Sequence, residues 1–148
     1  MEQSIRKITI VGGPGTGKTT LARNLGQKLN LPVYHLDGID HLENWKKRPV
    51  EERDRIILEK VNEEKWITDG TYIGTLEARL LKSDMIIFLR YSTFARVKGI
   101  FSRYFKIRGQ ERKEIPGCKE QMNLEFIKFA IKWNKEKANK VNEILEKH

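Results

Sequence analysis

The chain has a single cysteine, Cys118, in 148 residues. An internal disulfide is impossible and a metal centre built on thiolates lacks its ligands, so Cys118 reads as a structural thiol. Long apolar runs are missing too. The longest is Met85-Ile86-Ile87-Phe88-Leu89, against the ~20 residues that a membrane-spanning helix requires, and Met1-Glu2-Gln3-Ser4 offers no apolar signal region. The expectation is a cytoplasmic protein with no membrane partner. His35 and His41 have no companion cysteines or suitably spaced carboxylates, so they read as strand and loop residues rather than zinc ligands. Internal repeats, low-complexity segments, helix-turn-helix and zinc-finger patterns are all absent.

Acidic residues are in short supply. Twenty Asp and Glu stand against 29 Lys and Arg, a formal charge of +9. The excess is concentrated between Arg90 and Lys119, where nine basic residues face only Glu111 and Glu114. Such a patch suits a polyanion, either the phosphates of a small nucleotide or a nucleic-acid backbone, with a solvated basic face as the alternative.

What is present begins at Gly12. The run Gly12-Gly13-Pro14-Gly15-Thr16-Gly17-Lys18-Thr19 satisfies G-x-x-x-x-G-K-[ST] in full. Its flanks are the required ones: Lys7 to Val11 reads as a buried strand, and Thr20-Leu21-Ala22-Arg23-Asn24-Leu25 opens a helix. Glycines allow backbone amides to turn inward around an anion, and the following helix points its unpaired N–H groups and positive dipole end at the same place. The candidate phosphate-binding residues are therefore Gly13, Pro14, Gly15, Thr16, Gly17, Lys18, Thr19 and Thr20. Lys18 reaches the β and γ phosphates and the Thr19 hydroxyl holds Mg²⁺. A dinucleotide fingerprint would need glycine in place of Lys18, so that reading fails.

Length argues for one domain over residues 1–148. Strands are predicted at 31–36, 65–69 and 85–89 besides the first, the last being an uninterrupted apolar run of the kind buried on both faces of a parallel sheet. Helices are predicted over 51–64, 75–82 and 94–105, with Val97, Ile100, Phe101 and Tyr104 at helical spacing and the aromatics read as core. Residues 109–117 form a polar loop, and Asn123 caps one long terminal helix carrying Leu124, Ile127, Ile131, Ala138, Val141 and Leu145. This alternation predicts a three-layer α/β fold with a parallel sheet, whose ligands lie at the carboxyl ends of the strands.

Four segments together resemble the DNA topology modulation protein family, P-loop proteins related to adenylate and shikimate kinases. They are the phosphate loop through Arg23, Leu31-Pro32-Val33-Tyr34-His35-Leu36-Asp37, Trp66-Ile67-Thr68-Asp69-Gly70-Thr71-Tyr72, and Gly117-Cys118-Lys119-Glu120 with Phe126-Ile127-Lys128. The resemblance implies an adenylate-kinase-like P-loop fold. It implies that Asp69 takes the place of the carboxylate holding Mg²⁺ through water, and that Asp37 and Asp40 stand where related kinases receive the phosphate acceptor. The plainer alternatives are a turn residue before Gly70 for Asp69 and turn closure or helix capping for Asp37 and Asp40. It also implies that the basic segment 93–117 is a lid, with Arg103 and Arg112 first among its catalytic arginines and Arg96 and Arg108 next. Two features depart from the family. Arg90 stands where relatives usually have aspartate, and the usual fifth strand, whose following loop helps to hold adenine, has no counterpart before His148.

The resulting expectation is an ATP- and Mg²⁺-dependent phosphotransferase that moves the γ-phosphate to a small-molecule or nucleotide acceptor, as a monomer or homodimer. Lys18, Asp37, Arg103 and Arg112 are its candidate catalytic residues, and Thr19 and Asp69 its candidate metal ligands. Two other readings remain: a nucleic-acid-associated P-loop NTPase or regulator, and a nucleotide sensor with reduced catalysis.

Overall fold

Four short runs rich in β-branched and aromatic residues supply the strands of the computed structural model, which describes residues 4–148. They are β1 (Lys7–Gly12), β2 (Val33–His35), β3 (Trp66–Asp69) and β4 (Met85–Leu89). All pairings are parallel, in the order β2-β3-β1-β4. The crossovers are α1 (Lys18–Leu29), α2 (Leu36–Asp40), α3 (Val50–Lys60) and α4 (Ile73–Lys82), followed by α5 (Thr93–Ile107), α6 (Leu124–Glu136) and α7 (Ala138–Glu146). Residues 1–3, part of the segment read as lacking a signal region, lie outside the described residues. No described helix is long and apolar enough to cross a membrane.

Alternation along β1 sends Ile8 and Ile10 to one face of the sheet and Val11 to the other. On the first face Ile8, Ile10 and Ile67 pack with Ala22 and Leu31 of the α1 unit. On the second, Val11 packs with Leu76 and Leu80 of α4, Trp133 of α6 and Val141 of α7. Helices thus cover both faces, giving the three-layer P-loop fold expected. Each fully buried Ile or Leu contributes about 1.5–3 kcal/mol.

Three expectations need correction. Met85 and Ile86 are 38% and 37% exposed, so β4 is an edge strand rather than one buried on both faces, because none of the described residues pairs with its outer side. The terminal helix is two helices. The chain breaks at Lys137 (φ −116, ψ −39), and α7 puts Val141 into the second core; the apolar spacing runs through the break, so periodicity could not reveal it. Phe101 and Phe105 are not core either, being 38% and 67% exposed on the outer side of α5, whose inner side carries Arg96 and Ile100. The inner side must lie against backbone. A Cβ on Gly99 would come 2.5 Å from the carbonyl oxygen of Gly15, which leaves no room there for large rings.

Candidate functional site

The loop between β1 and α1 takes the conformation its glycines permit. Gly15 and Gly17 have φ of 77° and 84°, a left-handed geometry that costs L-residues about 1–2 kcal/mol. The Thr16 hydroxyl donates to the Gly13 carbonyl at 2.9 Å, and Lys18 Nζ donates to the same carbonyl at 2.9 Å, folding the lysine back over the loop. Gly17 caps α1 without a side chain, so no side-chain oxygen occupies the amides of the first turn. They are left to an anion.

Around Lys18 the sheet's carboxyl edge gathers charge. Burial pushes the Lys18 ammonium below its usual pKa; Asp69 and Asp37 oppose this, while Arg103 and Arg112 add to it. Lys18, Asp37, Asp69, Arg103 and Arg112 therefore meet in one place, although they come from α1, α2, β3, α5 and the loop after α5.

Asp69 ends β3 and is 4% exposed. Its Oδ2 accepts the Thr19 hydroxyl at 2.9 Å and lies 2.7 Å from His35 Nδ1. No group of three or more His, Cys, Asp or Glu among the described residues could hold a metal alone. Thr19 and Asp69 nonetheless supply the hard oxygen donors that Mg²⁺ prefers, beside a phosphate loop that brings more, and Mg²⁺ usually keeps several waters. The residues fit that ion.

Asp37 stands at the start of α2, where Oδ1 accepts the Tyr72 hydroxyl at 2.6 Å. Tyr72 also reaches Asp40 Oδ2 at 3.3 Å, and Asp40 pairs with Arg53 at 3.2 Å. The Arg53 guanidinium lies 4.9 Å from the centroid of the Tyr72 ring. Burial, then the Asp37 charge, pushes the Tyr72 phenol far above its usual pKa, so it remains a neutral donor. Buried Arg79 fixes the loop that delivers Tyr72. It donates to the Gly70 carbonyl at 2.9 Å and to the carbonyls of Thr71 and Tyr72, and burial pushes its pKa down to about 9.

The arginines are held by two glutamates, buried Glu120 and half-buried Glu114. Arg112 pairs with Glu114 at 2.6 Å and Glu120 at 3.6 Å, and Arg103 Nε lies 3.2 Å from Glu120 Oε2. Burial, reinforced by the Arg112 charge, depresses the Arg103 pKa. For Glu114, burial alone would raise the pKa, but Arg112 outweighs it and the net shift is downward. The basic loop docks rather than projects. Cys118 is buried, accepts the Trp45 N–H at 3.2 Å and donates to the Leu42 carbonyl at 3.2 Å, a structural thiol as read.

Not every candidate joins the cluster. Arg96 is fully buried and donates to the Ala130 carbonyl at 2.6 Å, with Trp133 5.5 Å away. Arg108 is exposed at the end of α5, Thr20 is exposed on α1, and Pro14 is half-buried in the loop. Sequence reasoning gave no role to Tyr72, Arg53, His35, Arg79, Glu114 or Glu120. Tyr72, His35 and Glu120 all lie in segments already singled out, Tyr72 three residues after Asp69.

The sequence pattern of the ATPase family associated with various cellular activities (AAA) matches residues 8–89, from β1 to the end of β4 and more than half of the chain. The chain belongs to the AAA family. The ATP-dependent zinc metalloprotease FtsH of Thermotoga maritima is 50% identical over 36 residues, 24% of this chain and only 6% of the metalloprotease. This AAA-family chain therefore shares a short stretch with it. Its fold extends further: shikimate kinase from Acinetobacter baumannii, solved with shikimate, superposes with a TM-score of 0.61 over 95% of this chain and 80% of the kinase at 15% identity. A gluconokinase from Sinorhizobium meliloti 1021 gives 0.52 over 99% and 100%, at 13% identity. At such identities the likeness is one of fold.

Proposed function

We propose that the chain is a cytoplasmic phosphotransferase that binds ATP with Mg²⁺ and passes the γ-phosphoryl group to a small acceptor beside Asp37. The observation that carries this is the meeting of Lys18, Asp69, Asp37, Arg103 and Arg112 at one end of the sheet. The loop amides and Lys18 hold the β and γ phosphates. Thr19 and Asp69 would hold Mg²⁺, which would supply neutralisation of charge on the phosphate oxygens. Asp37, oriented by Tyr72, accepts the proton of the acceptor hydroxyl as its oxygen bonds to the γ-phosphorus. The bond from that phosphorus to the β–γ bridging oxygen breaks, and ADP leaves with the electron pair. Arg103 and Arg112 then stabilise charge on the transferring group, exchanging Glu120 for phosphate oxygens.

Isotope-labelled ATP incubated with a panel of nucleosides, nucleotides and sugars tests this reading. Transfer to one acceptor class, lost in Lys18→Ala, supports it; no turnover above the Lys18→Ala background removes it. One observation favours the nucleic-acid reading, in which the basic segment clamps a nucleic-acid backbone. Phe94, Phe101 and Phe105 are 79%, 38% and 67% exposed on α5, whose exposed residues include Lys98 and Lys106. Single-stranded DNA affinity that falls steeply with salt, and more gently after Lys98→Ala and Lys106→Ala, would select that reading.

A further inference from the structure

Among the described residues the sheet has two open edges, and that of β4 is the longer, five residues against three for β2. Alternation along β1 shows which groups of β4 it leaves free. The carbonyls of Arg6 and Ile10 accept the N–H groups of Trp66 and Gly70 on the β3 side, at 2.8 and 3.1 Å, so the residues of β1 that face β4 are Lys7, Thr9 and Val11. Thr9 stands opposite Ile86 and Val11 opposite Phe88. In a parallel pair their hydrogen bonds slant to the residues on either side, Met85, Ile87 and Leu89. The N–H and C=O groups of Ile86 and Phe88 therefore point away from β1, and no described backbone bond outside the sheet takes them.

Exposed edges are usually blunted by lysine, proline or a bulge. Met85-Ile86-Ile87-Phe88-Leu89 has no lysine or proline, its register against β1 runs unbroken from Ile8–Met85 to Gly12–Leu89, and Met85 and Ile86 are exposed. Charges stand just outside it, Asp84 before and Arg90 after, both exposed. The strand is complementary to itself. With Ile87 of two copies on a two-fold axis, Ile86 of each lies opposite Phe88 of the other, and these residues exchange the N–H and C=O groups that β1 leaves free. Met85 then meets Leu89, and Asp84 meets Arg90 at both ends. Centring the axis on Ile86 or Phe88 would set Asp84 against Phe88 or Arg90 against Ile86, so charge selects one register. Asp84 Oδ2 accepts the N–H groups of Arg6 and Lys7 at 2.9 Å, which leaves its Oδ1 without a partner among the described hydrogen bonds. Arg90 spends one amino group on Asn142 and has donors to spare.

We propose that two copies of the chain pair antiparallel along β4 about Ile87, joining their sheets into one that runs β2-β3-β1-β4 and continues through the second copy in reverse order. The contact is isologous, each copy presenting the same strand to the other, and it does not depend on the nucleotide reading above. A strand pair this short stays under the ~1,000 Å² of a firm interface, which places the dissociation constant at about 1–100 µM.

Sedimentation velocity on the full chain, across concentrations spanning that range, should show the 17.4 kDa monomer giving way to a dimer. Amide hydrogen exchange followed by NMR reads the pairing itself: the N–H groups of Ile86 and Phe88 should become protected only as concentration rises, while those of Met85, Ile87 and Leu89 are protected throughout. Ile86→Lys sets an ammonium against Phe88 of the second copy, and Arg90→Glu sets like charges together at Asp84. The axis repeats each change, so either should weaken the dimer at least about tenfold. Adding Asp84→Asn to Arg90→Glu keeps an oxygen for the Arg6 and Lys7 amides and should recover part of that loss. A Tm matching that of the dilute wild type reports that a variant is folded, and where one is not, the wild-type exchange pattern decides. A chain monomeric at every concentration overturns the proposal, as does a dimer indifferent to both substitutions. Ile86 and Phe88 amides already protected in the dilute monomer would also overturn it, since a strand from the same polypeptide would then cover the edge.

Discussion

Glu120 is the counter-charge on which both candidate arginines depend, and Glu120→Gln isolates its contribution. The carboxylate is 5% exposed, and the substitution keeps its volume while removing its charge from Arg103 and Arg112. Breaking a buried ion pair costs about 3–5 kcal/mol when the remaining charge is stranded. Two features reduce that figure. Arg112 retains Glu114 at 2.6 Å, and the Arg103 side chain is 31% exposed, so water reaches it. About 2 kcal/mol is expected, equivalent to a fall in Tm of roughly 4–8 °C for a domain of this size. Phosphate oxygens can replace the missing carboxylate, so saturating Mg–ATP should raise the Tm of Glu120→Gln more than that of the wild type. Differential scanning fluorimetry with and without nucleotide reads both effects. A variant with wild-type Tm would refute the ion-pair argument, and equal nucleotide stabilisation of the two proteins would refute the exchange of Glu120 for phosphate.

Three further outcomes follow from the same geometry. Gly15→Ala must place a Cβ 2.1 Å from the Arg96 carbonyl oxygen at a φ of 77°, so chemical denaturation should show a loss of about 2–4 kcal/mol; a loss below 1 kcal/mol would mean that α5 is not seated on the loop. Tyr72→Phe removes the hydrogen bond to Asp37, a charge-assisted contact of about 1.5–3 kcal/mol, and steady-state kinetics should show kcat/KM for the acceptor falling about 10- to 100-fold with the KM for ATP unchanged. A change confined to the KM for ATP would contradict the placement of Asp37. Glu114 has a folded-state pKa below its ordinary 4.5, so its contribution to stability is complete above that value and is lost as pH falls through the lower one. Urea midpoints measured from pH 6 to pH 3 should therefore fall less steeply for Glu114→Gln than for the wild type, and parallel curves would exclude the pairing.

The phosphate loop was legible in the sequence because its chemistry is local. Glycines, lysine and hydroxyl must be adjacent in the chain to be adjacent in space. Asp37 and Asp69 were legible one step further out, since strands of a parallel sheet end on one edge and each aspartate follows a strand pattern. Glu114 and Glu120 were not, because the path of the loop after α5 decides what they meet, and nothing periodic describes a loop. His35 looked like an ordinary strand residue. Its contact with Asp69 arises from register, His35 pairing with Asp69 across β2 and β3. The outward turn of Phe101 and Phe105 was hidden for a related reason, as apolar spacing marks a helix without saying which side faces a glycine backbone.

The close approach of α5 to the phosphate loop limits how this site can open. Gly99 sits where any side chain would strike the Gly15 carbonyl, and Gly15 in turn lies under the Arg96 carbonyl. A helix seated backbone to backbone cannot swing away without dismantling the nest it helps to shape. Any opening would have to come from the stretch after α5, from Gly109 to Asn123, and would break the contacts of Arg112 and Cys118 that dock it.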